Sequence, residues 1–283
     1  MKKKILIVTE RRADYSKFRP IIKEIEKSKK LDYFLIVTGS HLLPEYKNTI
    51  GEIHSDGFKI KEEFKMYSNN KKDTGAEMAR SLGKAIIKLT DIIEKLNPDI
   101  ILAGFDIGSN LGVAIVGAHM NKLVCHLEGG DVTGTIDESI RHATTKFAHM
   151  HFTTNEIARK RLIKMGENSK FIFTVGNPSL DSIKNIKKIP VKEIEEEFGI
   201  NLKKPFIVVL QHTVTTEAHR GGENMLQTLL AIRELDIQAI IIHGNADFGS
   251  EQIKNIIKKS KLKHYSTLSF SKYINLLRHA SAL

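Results

Sequence analysis

The 283-residue chain has a single cysteine, Cys125. A disulfide scaffold is therefore excluded, a cysteine-built zinc site nearly so, and a reducing compartment is the natural home. No apolar run approaches the roughly 18 to 20 residues of a membrane span. The lysine-rich start, Met1-Lys2-Lys3-Lys4, leads only into Ile5–Val8, too short for a signal-peptide core. A cytoplasmic protein with no membrane partner is expected. Three motifs are also missing: G-x-x-x-x-G-K-[ST], G-x-G-x-x-G after a strand, and H-E-x-x-H. Phosphate-loop and dinucleotide fingerprints are thereby absent, although the many His and Asp residues leave metal binding open.

What is present is a globular composition. With 41% hydrophobic residues, the chain can build one large or two ordinary domains with real cores. Its 44 Lys+Arg against 33 Asp+Glu give a net charge of +11. The lysines are dispersed in pairs such as Lys71-Lys72, Lys187-Lys188 and Lys258-Lys259, as on solvated helix faces. A nucleic-acid partner would want a clustered basic face with interleaved aromatics, and the chain shows neither; attraction of a smaller anion fits the charge equally well.

Continuous apolar runs, Ile5–Val8, Phe34–Val37, Ile100–Ala103, Leu123–Cys125, Phe206–Leu210 and Ile237–Ile242, read as strands buried on both faces. Between them lie amphipathic stretches such as Glu77–Leu96. Strand and helix in alternation predict an α/β fold with parallel sheets. A seam over Gly176–Lys204, with Asn177-Pro178, Ile189-Pro190 and a charged helical segment Lys192–Phe198, predicts domains at 1–176 and 205–283 joined by a linker at 177–204. The second domain is expected to be incomplete, because a helix over Tyr273–Leu277 runs into Ala280–Leu283 with no closing strand.

Ligands of open parallel sheets sit beyond the carboxyl ends of the strands, so those edges are read in turn. The first carries Thr9-Glu10-Arg11-Arg12-Ala13-Asp14-Tyr15-Ser16-Lys17. This loop and helix start hold an anion, helped by Arg11 or Arg12, or else Asp14 or Ser16 merely caps the helix. The second carries Thr38-Gly39-Ser40-His41. After the third comes Gly104-Phe105-Asp106-Ile107-Gly108, with Asp106 as a strand-end carboxylate or a cap. The richest edge is His126-Leu127-Glu128-Gly129-Gly130-Asp131, followed by Gly134-Thr135-Ile136-Asp137-Glu138-Ser139-Ile140-Arg141-His142. Period-two geometry predicts His126 and Glu128 on one side, with two glycines leaving the Glu128 carboxylate uncrowded. Thr135 and Glu138 form a capping box that sets a helix start near Ile136. Glu128, Asp131, Asp137 and Glu138 are dense enough to perturb one another and suit proton abstraction and return, whereas His149 and His151 read as packing residues. In the second domain, Gln211-His212-Thr213 and His243-Gly244-Asn245 follow strands, and Gly249-Ser250 opens a helix suited to a phosphate.

Together these residues resemble the UDP-N-acetylglucosamine 2-epimerases, especially the hydrolysing branch that serves sialic-acid-like sugars. The resemblance is carried by Arg12–Lys17, Val37–Leu42, His126–Asp131, Gly134–His142, Gly176–Asp181 and His212–Thr216, in family order along the chain. It implies two Rossmann-like parallel-sheet domains of glycosyltransferase-B type, the second truncated, with a sugar nucleotide held between them. It implies Asp106, Glu128, Asp137, Arg141 and His212 as catalytic residues, and Arg12, Asp14, Ser16, His41, Asp131, Asn245 and Ser250 as substrate or nucleotide ligands. It implies no metal or redox cofactor, and a homo-oligomer. The family chemistry removes the C2 proton and the nucleoside diphosphate to give a glycal, to which water then adds. Two features depart from the pattern: Gly104-Phe105-Asp106-Ile107 shifts the usual Asp by one place and lacks the following Arg, and the family's later serine-rich loop is absent. The non-hydrolysing epimerases and the glycosyltransferases of the same fold are the alternative readings, with a basic nucleic-acid-binding protein as the reading from another class.

Overall fold

A computed structural model describes residues 1–44, 49–67, 74–245 and 247–283, and of Thr215 the backbone only. The Lys71-Lys72 pair and Ala246 of the His243–Ser250 loop lie outside the described residues. Among the described residues no helix is long and apolar enough to cross a membrane. The chain divides into two compact units, one within Met1–Lys184 and one over Asn185–Leu283.

The first unit is a seven-stranded sheet in the order β3-β2-β1-β4-β5-β6-β7, parallel throughout. Its strands are β1 (Lys3–Thr9), β2 (Leu31–Val37), β3 (Ile60–Glu63), β4 (Ile100–Gly104), β5 (Leu123–Leu127), β6 (Met150–Thr153) and β7 (Ile172–Thr174). The helices are α1 (Arg12–Lys27), α2 (Ile50–Ser55), α3 (Gly75–Leu96), α4 (Gly108–His119), α5 (Ile136–Phe147), α6 (Glu156–Lys164) and α7 (Pro178–Lys184). Leu6, Ile7 and Val8 are fully buried, as a strand covered on both faces requires. On α1, Tyr15, Phe18, Ile22 and Ile25 recur at helical spacing and bury against Ile5, Ile7, Leu35, Val37 and Leu127. Each such side chain contributes about 1.5 to 3 kcal/mol of hydrophobic stabilisation. β3 and β7 lie at the sheet edges with half their residues or more outside the core; β3 carries no continuous apolar run, whereas β7 falls in Phe171-Ile172-Phe173, whose two phenylalanines stay exposed.

The second unit has a parallel sheet in the order β10-β9-β8, from β8 (Phe206–Val209), β9 (Gln238–Ile242) and β10 (His264–Tyr265). Its helices are α8 (Val191–Phe198), α9 (Gly221–Glu234), α10 (Ser250–Lys259) and α11 (Phe270–Leu277). Strand alternation splits its apolar residues between two cores. Phe206, Val208, Ile240 and Ile242 pack with Ile194, Phe198 and Leu276 on one face, and Val209 and Ile241 with Met225, Leu229, Ile232, Ile253 and Ile257 on the other. The segment read as a charged linker thus supplies a helix whose Ile194 and Phe198 belong to this core, while residues 178–184 form α7 against α1 in the first unit. Ala282 makes an isolated parallel bridge to Ile207, and Ser281 N–H donates to the Phe206 carbonyl at 2.8 Å.

Candidate active site

Parallel pairing sets Gly104 opposite Leu127, so the loops after β4 and β5 emerge side by side. Both turn through left-handed backbone at a non-glycine residue, Phe105 with φ +68° and Glu128 with φ +59°. Such conformations cost about 1 to 3 kcal/mol and persist only where the surroundings fix them. Phe105 N–H donates to the Leu127 carbonyl at 3.0 Å and Glu128 N–H to the Phe152 carbonyl at 2.9 Å.

The turn at Glu128 overrides the expected alternation. His126 goes to the α5 side, fully buried, with Nδ1 3.1 Å from Thr145 Oγ1 and Nε2 3.4 Å from the Phe105 carbonyl, and burial lowers its pKa to about 3. Glu128 instead reaches α1, where Lys17 Nζ donates to Oε2 at 2.5 Å and stands 4.4 Å from the centre of the Phe105 ring. The glycines that follow serve the path of the chain more than the carboxylate. A Cβ on Gly129 would stand 2.9 Å from His126 Nδ1, and one on Gly130, at φ +91°, would stand 2.5 Å from the Ala158 carbonyl oxygen.

Around Glu128 the polar residues form one cluster. Arg141, from the second turn of α5, makes an ion pair with Asp106 and donates to the Asp131 carbonyl at 3.0 Å, while Arg161 of α6 caps the Gly130 carbonyl. The Asp131 carboxylate accepts from Thr154 Oγ1 at 3.1 Å. Burial is the main influence on Glu128 and pushes its carboxyl above the usual range; Lys17 opposes this, and Asp131 and Asp106 reinforce it. Its Oε1 is buried with no hydrogen-bond partner among the described residues. The Glu128 side chain is 11% exposed and that of Asp106 26%, so the cluster is recessed yet open at Asp106.

Helix α5 starts at Ile136 with Thr135 as its cap, as the capping box predicts, although Thr135 Oγ1 accepts from Asp137 N. Glu138 accepts from the backbone N–H groups of Gly134 and Thr133, both at 3.0 Å, and those bonds hold its carboxyl below the usual range. Asp137 is exposed on the first turn. The neighbouring edge is sealed. Asp14 accepts from Thr9 Oγ1 at 2.9 Å, Glu10 N at 2.8 Å and Arg11 N at 3.0 Å, so it acts as the cap of α1. His41 is buried between Thr9 Oγ1 at 3.0 Å and Thr49 Oγ1 at 2.8 Å. Ser16 donates back along its own helix to the Ala13 carbonyl, and Arg12 opens α1 half-exposed. His149 Nδ1 accepts from Val124 N, and His151 lies 3.3 Å from Glu167 Oε2, both structural.

In the second unit, the carboxyl ends of β8 and β9 and the amino end of α10 line a small pocket that gathers His212, Asn245 and Ser250 with Thr213, His243 and Lys254. Gly249, at φ +90°, sets the α10 start, where a Cβ would stand 2.9 Å from Ala218. Lys17 is the site residue that sequence reasoning left without a role. Its charge lies 111 positions from its partner, and a lysine on an amphipathic helix gives no local sign of such a pairing.

The family model described as UDP-N-acetylglucosamine 2-epimerase matches residues 23–283. The chain belongs to that family. It is 34% identical over 282 residues to the UDP-N-acetylglucosamine 2-epimerase of Neisseria meningitidis serogroup B, covering 98% of this chain and 73% of that protein. It is also 34% identical over 259 residues to the UDP-N,N'-diacetylbacillosamine 2-epimerase (hydrolyzing) of Legionella pneumophila, covering 92% of this chain and 68% of that one. The crystal structure of the N. meningitidis UDP-GlcNAc 2-epimerase bound to UDP-GlcNAc superposes with a TM-score of 0.80 at 18% identity, over 98% of this chain and 76% of that one. That likeness establishes the shared fold of this epimerase family, two parallel α/β sheets of glycosyltransferase-B type.

Proposed function

We propose that the protein is a hydrolysing sugar-nucleotide 2-epimerase, acting on UDP-N-acetylglucosamine or on a UDP- or GDP-linked diacetamido-trideoxy-hexose. The observation that carries this is the placement of Asp106 and Glu128 just beyond the paired ends of β4 and β5, with Glu128 Oε1 buried and, among the described residues, unpartnered. The C2 proton of a hexosamine is weakly acidic, so its removal needs a placed carboxylate whose protonation is balanced by its surroundings. Burial and Lys17 pull Glu128 in opposite directions, and Arg141 braces Asp106 as its ion-pair partner.

In this reading the carboxylates take the C2 proton as the bond from C1 to the diphosphate oxygen breaks, giving a 2-acetamidoglucal and nucleoside diphosphate. Water then adds its oxygen to C1 while C2 receives a proton on the opposite face. Asp137 at the open rim of α5 is the third carboxylate, and Arg12, His212, Asn245 and Ser250 are nucleotide and phosphate ligands. The partner is a sugar nucleotide rather than a nucleic acid, and the protein is a cytoplasmic homo-oligomer. Relatives named for hydrolysing action and for UDP-N-acetylglucosamine support the substrate class.

The test is turnover of UDP- and GDP-linked candidates in D2O followed by NMR. Release of nucleoside diphosphate with a free 2-epimeric sugar deuterated at C2 is expected. A product still linked to the nucleotide would make the enzyme non-hydrolysing, and failure to deuterate C2 of any candidate would overturn the reading.

A further inference from the structure

The strand order of the first sheet reverses between β1 and β4, the switch point at which open α/β sheets receive their ligands. A side chain of the protein itself occupies that place. Glu10, the first residue after β1, is 2% exposed. Its Oε2 accepts from Ser109 N at 2.9 Å in the first turn of α4, its Oε1 accepts from Tyr67 Oη at 2.7 Å, and Arg11 Nη2 lies 3.5 Å away. Its carbonyl accepts from Ser40 Oγ at 3.2 Å and His41 N at 3.4 Å. Gly39 closes over it so tightly, at φ +64°, that a Cβ there would stand 2.2 Å from Glu10 Cγ. One residue thus joins the loops that follow β1, β2 and β4 and the segment after β3.

Burial alone would raise its carboxyl, but Arg11, Ser109 N–H and Tyr67 outweigh it and hold the group below the usual range, as befits an anion at a helix amino terminus. What Ser109 anchors matters. Between β4 and α4 lie Phe105, Asp106 and Ile107, with Phe105 in a conformation that a bulky residue keeps only under constraint. We propose that Glu10 is a positioning residue: its carboxylate fills the anion place at the amino end of α4 and, through Ser109 N–H, holds the loop that presents Asp106. The importance of Asp106 comes from the epimerase reading, whereas the anchor does not depend on it.

Hydrogen exchange read on a peptide spanning 105–110, together with steady-state kinetics of the whole protein, tests this. Glu10→Ala is expected to speed exchange there by about tenfold or more and to lower kcat by about 10- to 100-fold, the cost of a misplaced group, with KM within about threefold. Glu10→Gln keeps the shape and an acceptor for Ser109 N–H, and is expected to restore most of both. Tyr67→Phe spares the Ser109 bond and should leave exchange at 105–110 as in the wild type. Unchanged exchange at 105–110 in Glu10→Ala would overturn the proposal, as would equal losses in Ala and Gln that track melting of the whole unit. Should Glu10→Ala not fold, Glu10→Asp, which withdraws the carboxylate from Ser109, decides by the same two measurements. A wild-type protein inactive on every sugar nucleotide would sink the epimerase reading, while exchange would still decide the anchor.

Discussion

Asp14 and Glu128 each lie just beyond a buried strand of the first sheet, each is nearly sealed from solvent, and burial is the main force pushing each carboxyl above its usual range. They differ in what their oxygens still have to do. Asp14 accepts three hydrogen bonds from its own loop, two of them from backbone N–H groups, and has little acceptor capacity left. Glu128 receives one bond from Lys17 and keeps a buried oxygen with none from the described residues. Buried polar atoms are almost always partnered, so the open Glu128 oxygen is the feature on which its proposed role rests. A strand-end address therefore does not separate the two carboxylates; the hydrogen bonds that each already accepts do, and the role proposed for Glu128 rests on that difference.

The hardest blow to this contrast comes from Glu128→Gln. The variant keeps the volume and removes the proton-transfer group, so kcat for nucleoside diphosphate release is expected to fall by about 10²- to 10⁴-fold, with the thermal midpoint moved by only a few degrees. Wild-type turnover in Glu128→Gln would end the assignment of this residue and the contrast with it.

A second test turns on the sealed edge. Burial lowers His41 to about 4 and His126 to about 3, so both are neutral in the fold where the unfolded chain, at about 6.5, binds a proton. A folded pKa below the unfolded one means stability that is present above pH 6.5 and drains away as pH falls toward 4; for His41 this amounts to about 3 kcal/mol. Asp14, raised to about 6, works the other way, its contribution being full below its unfolded value and lost as pH rises through 6. The two histidines together outweigh it. Denaturation midpoints are expected to drop from pH 6.5 to pH 4, and His41→Gln to flatten part of that slope; stability that held or rose on acidification would show that the edge is not sealed as described.

How much of this was legible beforehand follows from locality. Continuous runs such as Phe206–Leu210 announce doubly covered strands because both faces have to be apolar, here β8 over Phe206–Val209, and Thr135 with Glu138 announces the start of α5 because caps act over three residues. The edge strand β3 escapes because its open side needs no apolar residues. The charged stretch before β8 looked like a linker, since two inward residues, Ile194 and Phe198, suffice to seat a short helix in a core. Within the site, the loop residues were visible as a dense polar run. Their orientation was not, because one left-handed residue at position 128 cancels the strand's alternation. The partners Lys17 and Glu10 meet Glu128 and Ser109 only through the sheet order.

The finest test concerns Asp137, which shares a helix with Arg141 but stands exposed at its first turn. An acidic side chain there interacts favourably with the helix amino end, by about 0.3 to 1 kcal/mol, and the Thr135 cap bonds the backbone of residue 137 rather than its side chain. Asp137→Asn is therefore expected to change unfolding free energy by less than about 1 kcal/mol. Its place as a rim carboxylate instead predicts a kcat lower by about tenfold, on the order of 1.4 kcal/mol of transition-state stabilisation. A large loss of stability with kcat preserved would put Asp137 on the structural side of the comparison and leave the proposed proton transfers to Asp106 and Glu128.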